Sequence, residues 1–246
     1  MLRPVLLLAL LLLPCLAQAA CDDAPAPGVI WRDCDKSGVD LHGADLRGAI
    51  LTRSKFGGAD LRGARLDRAD LNFADLSGAH LEQAHLPAAR LTGANLRQAN
   101  LSDALLRGAR FDRAEMNAAN LKGGQLAGAS FYQAILDNAD LSGADLSGAE
   151  LRHTRLQQAN LERANLYRAN LLQADLERAN LQGARLEQAR LEKSNLQYAD
   201  LRAADLTRAT LVDARLFDTR FEQARLGGAM WVDRKRCRLD SVGTCQ

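Results

Sequence analysis

From Leu41 to Leu226 every fifth residue is large and apolar, and the spacing never slips. Of these 38 positions 33 are Leu, and the others are Phe56, Phe111, Met116, Phe131 and Phe221. Two residues earlier stands Ala in 32 units, replaced elsewhere by Val39, Ser54, Gly124, Thr154, Ser194 and Thr219. The remaining three residues of each pentad hold nearly all the charge, as at Asp40, Arg47, Arg62, Asp67, Asp140, Glu177 and Arg178. An α-helix cannot use this period, because five residues advance roughly 500°, about 140° net, and the Leu row would wind around the whole surface. A flat strand fails as well, since an odd step sends successive Leu residues to opposite faces. A chain that turns by about a quarter revolution per pentad satisfies the pattern, with Leu and Ala inward and three polar residues outward. Thirteen units place Gly two residues after the central position, as at Gly43, Gly63, Gly93 and Gly148. A type II turn needs positive φ there. The predicted element is a single elongated solenoid with a corner in each pentad.

Units such as Ala44-Asp45-Leu46-Arg47-Gly48 and Ala164-Asn165-Leu166-Tyr167-Arg168 closely resemble the pentapeptide-repeat family, and the resemblance covers residues 39–228. It implies an all-β fold, a right-handed quadrilateral β-helix with four units per 20-residue coil. The 38 units then make between nine and ten coils, a rod roughly 45 Å long at a strand spacing of about 4.8 Å. Burial of each Leu contributes about 2 kcal/mol against chain entropy. In this frame Phe111 and Phe131 lie on the same side in successive coils and are expected to stack. Ser54, Thr154, Ser194 and Thr219 fit the small-residue row, with hydroxyls free to bond the backbone. One outward column reads Asp40, Asp60, His80, Asn100, Asn120, Asp140, Asn160, Asn180 and Asp200. Its side chains are expected to bond to one another along the rod.

The ends differ in composition, and four segments are expected: a signal peptide over 1–19, an N-terminal cap over 20–38, the repeat over 39–228 and a C-terminal cap over 229–246. Arg3, the apolar run Val5–Leu13, Pro14 and Ala17-Gln18-Ala19 follow the pattern of a cleaved export signal. The apolar run is too short to span a bilayer, which needs about 20 residues. The reading is therefore an exported protein, periplasmic or extracellular. With Cys15 removed, Cys21, Cys34, Cys237 and Cys245 remain, an even count that reads as disulfides in an exported chain. Three pairings are open; pairing within each end is geometrically easiest, because the array separates the two pairs. A lipid anchor on Cys21 is the rival reading, weakened by Gln18 where such signals carry Leu. Trp31 and Trp231 fall in the central-residue phase beyond the array and are expected to plug its open ends, since solenoid termini expose apolar columns and strand edges.

Charge and chemistry narrow the function. Formal net charge is +2, and residues 39–228 carry 25 Lys/Arg against 24 Asp/Glu. His42, His80, His85 and His153 are outward and scattered, without the three or four clustered ligands of a zinc site. Basic residues thicken toward the C-terminus (Arg215, Arg220, Arg225, Arg234, Lys235, Arg236, Arg238), diluted by Asp213, Asp218, Glu222 and Asp233. No nucleophile–base pair, phosphate loop or catalytic carboxylate pair is recognisable. The expectation is a non-enzymatic module without cofactor or metal, monomeric, not bound to nucleic acid, whose flat faces dock a protein or envelope polymer. The family resemblance also implies an alternative, because some cytoplasmic members mimic duplex DNA and occupy type II topoisomerases. A neutral surface and export both count against that here.

Overall fold

The computed structural model describes residues 20–246. The export-signal reading of residues 1–19, and with it Cys15, lies outside the described residues. A 3-10 turn, Ala20–Asp22, leads into a right-handed quadrilateral β-helix. Parallel bridges join residues 20 apart on all four sides, and one column runs unbroken through ten bridges from Ile30 to Met230. At about 4.8 Å per step the rod rises roughly 48 Å. The ladder begins at Ile30, so Val29, Trp31 and Cys34 sit inside the first coil and not in a separate cap before residue 39.

A pentad with Asp or Asn before its central residue pairs all five of its backbone donors. In the unit around Leu121, the Leu121 N–H donates to Asp140 (2.7 Å), Gly123 to Ser142 (3.0 Å), and Asn120 back to Ala99 (3.0 Å). The Gly124 N–H closes the turn on the Leu121 carbonyl at 3.0 Å. That leaves one N–H, on Lys122, and the Asn120 Oδ1 accepts it at 3.1 Å. All 18 Asp and Asn residues that precede a central residue in the array do the same. Buried or half-buried peptide groups must be paired, and a short carboxylate or amide reaches its own backbone two residues on. The expected bonding along the Asp40 column is thus secondary. It survives at Asn160 to Asp140 and Asn180 to Asn160, both 3.1 Å, while Asn100 turns to Glu82 (2.7 Å).

Every central residue from Leu41 to Leu211 is at most 5% exposed. Phe111 and Phe131 stack with centroids 5.0 Å apart and planes 9° from parallel. The four inward hydroxyls all donate to carbonyls: Thr154 to Phe131 (2.8 Å), Ser194 to Leu191 (2.8 Å), Thr219 to Leu196 (2.7 Å), and Ser54 to Trp31. The corners are more uniform than the glycine count implied. The third turn residue has positive φ throughout, including 25 non-glycine residues in the array with φ between 54° and 62°. None of these is Val, Ile or Thr, whose branched Cβ tolerates this region least.

The ends are closed unequally. Cys21 is bonded to Cys34, and Cys237 to Cys245. Trp31 occupies the axis of the first coil at 1% exposure, with the Lys36 Nζ 4.2 Å over its ring. At the other end the chain reverses after Trp231, and antiparallel bridges join Arg236 to Met230 and Val242 to Arg225. This strand passes so close to Gly227 that a Cβ there would lie 2.6 Å from the Leu239 carbonyl oxygen. Trp231 is half-buried, its ring 5.4 Å from Phe221.

Two predictions follow from corner and cap. At Gly148 a Cβ meets nothing within 4 Å, so substitution costs conformation alone. Gly148→Val is expected to lose about 2 kcal/mol and Gly148→Asn less than about 1 kcal/mol, read from denaturant midpoints; equal losses would contradict the positive-φ corner. Gly227→Ala should lift the C-terminal strand, seen as faster hydrogen exchange at the Leu226 and Gly228 amides with Leu121 unchanged. Unaltered exchange at those amides would show that the strand does not pack there.

Candidate interaction surface

The corners turn each pentad's three outward residues onto a flat side, and four sides result. Side chains on one side repeat at the strand spacing, so each column is a rigid, regularly spaced array. The four sides are chemically unequal. The side bearing Asp40, Asn120 and Asp200 presents no large apolar residue at any outward position of the array. The side bearing Ile50 presents Phe73, Tyr132, Leu172, Val212 and Val232 as well. Phe73 is 63% exposed, with its ring lying across Gly93 where a side chain would collide with it. Tyr132 meets His153 edge-on at 5.7 Å, and the Arg152 guanidinium lies 5.6 Å from the Tyr132 centroid. A further aromatic group sits on the neighbouring corner near the C-terminal end, where Tyr198 meets Phe217 at 5.5 Å under Arg178.

Charges on the sides are largely self-neutralised. Cations pair with carboxylates one coil away, as in Arg53–Asp33, Arg90–Asp70 and Arg225–Asp205, or within one turn, as in Arg62–Asp60 and Arg202–Asp200. Hydrogen bonding from Arg62 holds the Asp60 carboxyl well below its ordinary range, and Arg47 and Arg202 do the same for Asp45 and Asp200. Asp33 is lowered chiefly by its hydrogen bond from Arg53. These groups stay ionised well into acid, and the side surfaces remain fixed patterns of paired charge.

The histidines diverge: His80 sits 3.5 Å from Glu82, His153 packs on Tyr132, and His85 lies around a corner from His80. No group of three His, Cys, Asp or Glu side chains able to hold a metal occurs among the described residues. The grooves are open to solvent; one runs past Arg163, Gln182, Arg202, Arg220 and Glu222. The sequence-derived residues fall at the two ends, Cys21, Cys34 and Trp31 at one, Cys237, Cys245 and Trp231 at the other, with the whole rod between them. The inequality of the sides was overlooked from sequence, although sorting outward residues by a 20-residue period would have exposed it.

A family model described as pentapeptide repeats matches segments that together run from residue 18 to 223. HetL, a pentapeptide repeat protein involved in heterocyst differentiation regulation in the cyanobacterium Nostoc sp. strain PCC 7120, is similar at 33% identity. The match covers 85% of this chain and 90% of HetL, with a TM-score of 0.72. A trypsin-treated form of QnrB1, a plasmid-mediated fluoroquinolone resistance protein, shares the fold at 21% identity, covering 76% of this chain and 85% of QnrB1, TM-score 0.54. No curated protein matches. With the 20-residue coil in place and a family model matched along most of its length, the chain belongs to the pentapeptide-repeat family.

Proposed function

We propose that this protein is an exported, non-catalytic binding module whose Ile50-bearing side docks a protein or a cell-envelope polymer. The observation that carries this reading is the contrast between sides: exposed Phe73 and its apolar and arginine neighbours on one, only small or polar residues on the Asp40 side. Aromatic and arginine residues with aliphatic neighbours are the composition of interface cores, and a rigid side loses little conformational entropy on docking. The export reading is supported by the sequence of residues 1–19 and by two disulfides, which persist in oxidising compartments. Mimicry of duplex DNA requires a strongly anionic surface, and 25 basic against 24 acidic residues in the array do not supply one.

The test is capture from a periplasmic fraction on immobilised protein, repeated with substitutions on each side. Phe73→Asp and Leu172→Asp together are expected to reduce capture at least tenfold, whereas Asn120→Lys on the opposite side leaves it unchanged. Capture lost through Asn120→Lys alone, or gyrase supercoiling inhibited by the purified protein, would overturn the assignment.

A further inference from the structure

Charge pairing is not shared equally among the sides. The side bearing Arg65, between the Asp40 side and the Ile50 side, turns eight arginines and five carboxylates outward, whereas the Asp40 side carries five cations and eight carboxylates. Of the 25 Lys and Arg residues in the array, 16 lie within ion-pair distance of a carboxylate. Five of the other nine stand on the Arg65 side: Arg65, Arg68, Arg107, Arg168 and Arg208, all exposed. Arg168 donates to the Gln188 Oε1 at 2.9 Å and lies 4.9 Å from the Tyr167 centroid, and neither contact neutralises it. The remaining arginines of this side, Arg47, Arg185 and Arg225, are bound to Asp45, Glu187 and Asp205. Its two other carboxylates, Asp67 and Asp145, stand outside ion pairs. At about 4.8 Å per coil the five free cations span roughly 34 Å of the rod, at levels separated by about 10, 14 and 10 Å. The wall between them is bare: Gly108, Ala127, Gly128, Ser147 and Gly148 hold outward positions there, and a Cβ built on any of these glycines meets nothing within 4 Å. An open groove lies at each end of the bare stretch, one past Arg47, Asp67, Arg68 and Pro87, the other past Tyr167, Thr207 and Arg208 with Leu239 and Val242 on its wall.

We infer that the Arg65 side binds a linear acidic polysaccharide laid along the rod. A guanidinium recognises a carboxylate through paired N–H donors, and a free arginine makes that contact without breaking an internal ion pair. Charge density selects the polymer. Free cations at intervals of about 10 Å suit a chain with one carboxylate on every one or two sugar rings. Duplex DNA carries a phosphate about every 1.7 Å of its axis and would lay most of them against bare wall. Single strands are held on successive aromatic rings, and Tyr167 is the one Phe, Tyr or Trp among this side's outward residues in the array. The bare floor lets sugar rings approach the wall closely. There the Gln125 amide and the Ser147 and Thr207 hydroxyls make no hydrogen bond among the described residues and are left for ring hydroxyls. The more acidic Asp40 side repels the same polymer, which confines it to one side of that corner. The site is separate from the Ile50 side and does not depend on what that side binds.

The probe is an alginate hexasaccharide, a short chain of uronic acids, titrated at low ionic strength into the full described chain and followed by calorimetry and amide NMR. The amides of Arg68, Arg107, Ala127 and Ser147 should shift together, and dextran, a neutral glucan, should leave them fixed. Arg107→Glu with Arg208→Glu should weaken binding at least tenfold. Lys122→Glu with Arg215→Glu makes the same change in net charge on free cations of other sides and should keep affinity within twofold. Both variants are compared at equal folded fraction, read from the Leu121 amide. Phe73→Asp with Leu172→Asp should bind the hexasaccharide as the parent does, so a failure of the Ile50-side assignment stays distinguishable from a failure here. No binding, equal loss from the two charge reversals, equal binding of dextran, tighter binding of a DNA oligonucleotide of the same charge, or loss through Phe73→Asp with Leu172→Asp would each overturn the inference.

Discussion

The structure depends on one constraint, the pairing of each peptide group with the coil 20 residues away. A chain that changes direction every five residues cannot satisfy its backbone within any one strand, so each layer is closed by the layers above and below it. Leu121 to Asp140, Gly123 to Ser142 and Asn120 to Ala99 use three of the five N–H groups in a pentad, and the turn uses the fourth. Where Asp or Asn precedes the central residue, its side chain answers the fifth, which explains why these residues crowd that position. The leucine column and the hydrogen-bond ladder therefore enforce one register between them. A slip of a single residue would expose the Leu row and strand the side-chain caps together.

That closure sets what the corners must accept. Positive φ in a residue with a Cβ costs about 1 to 2 kcal/mol, a loss the burial of a Leu in the same pentad offsets at about 2 kcal/mol. The array tolerates Arg, Gln and even Tyr198 at these corners, but no β-branched residue. Glycine is thus a convenience at most corners. At Gly227 it is a requirement of a different kind, since the C-terminal strand passes through the space a Cβ would fill.

Most of the fold was legible in the sequence because its signal is periodic and redundant: the inward Leu and Ala rows, the Phe111–Phe131 stack, and the inward hydroxyls at Ser54, Thr154, Ser194 and Thr219 all follow from phase alone. What was misjudged has a common cause. Phase says which residues share a column, but not whether a side chain prefers its column neighbour or its own backbone, and for Asp40, Asn120 and their equivalents the nearer backbone wins. Trp31, in the central-residue phase by sequence, is a buried central residue of the first coil, because the ladder continues through units whose Leu and Ala have been replaced. The candidate surfaces were the least legible part. Four sides that look alike pentad by pentad differ only when read at a period of 20.

The same register that builds the rod makes its surfaces rigid and keeps most of its charges paired. The most direct test of that register is the through-hydrogen-bond scalar coupling between the Leu121 amide nitrogen and a carbonyl carbon, measured in labelled protein. The account predicts coupling to Asp140, the acceptor at 2.7 Å. Coupling to a carbonyl within Leu121's own pentad or at any other separation would contradict it.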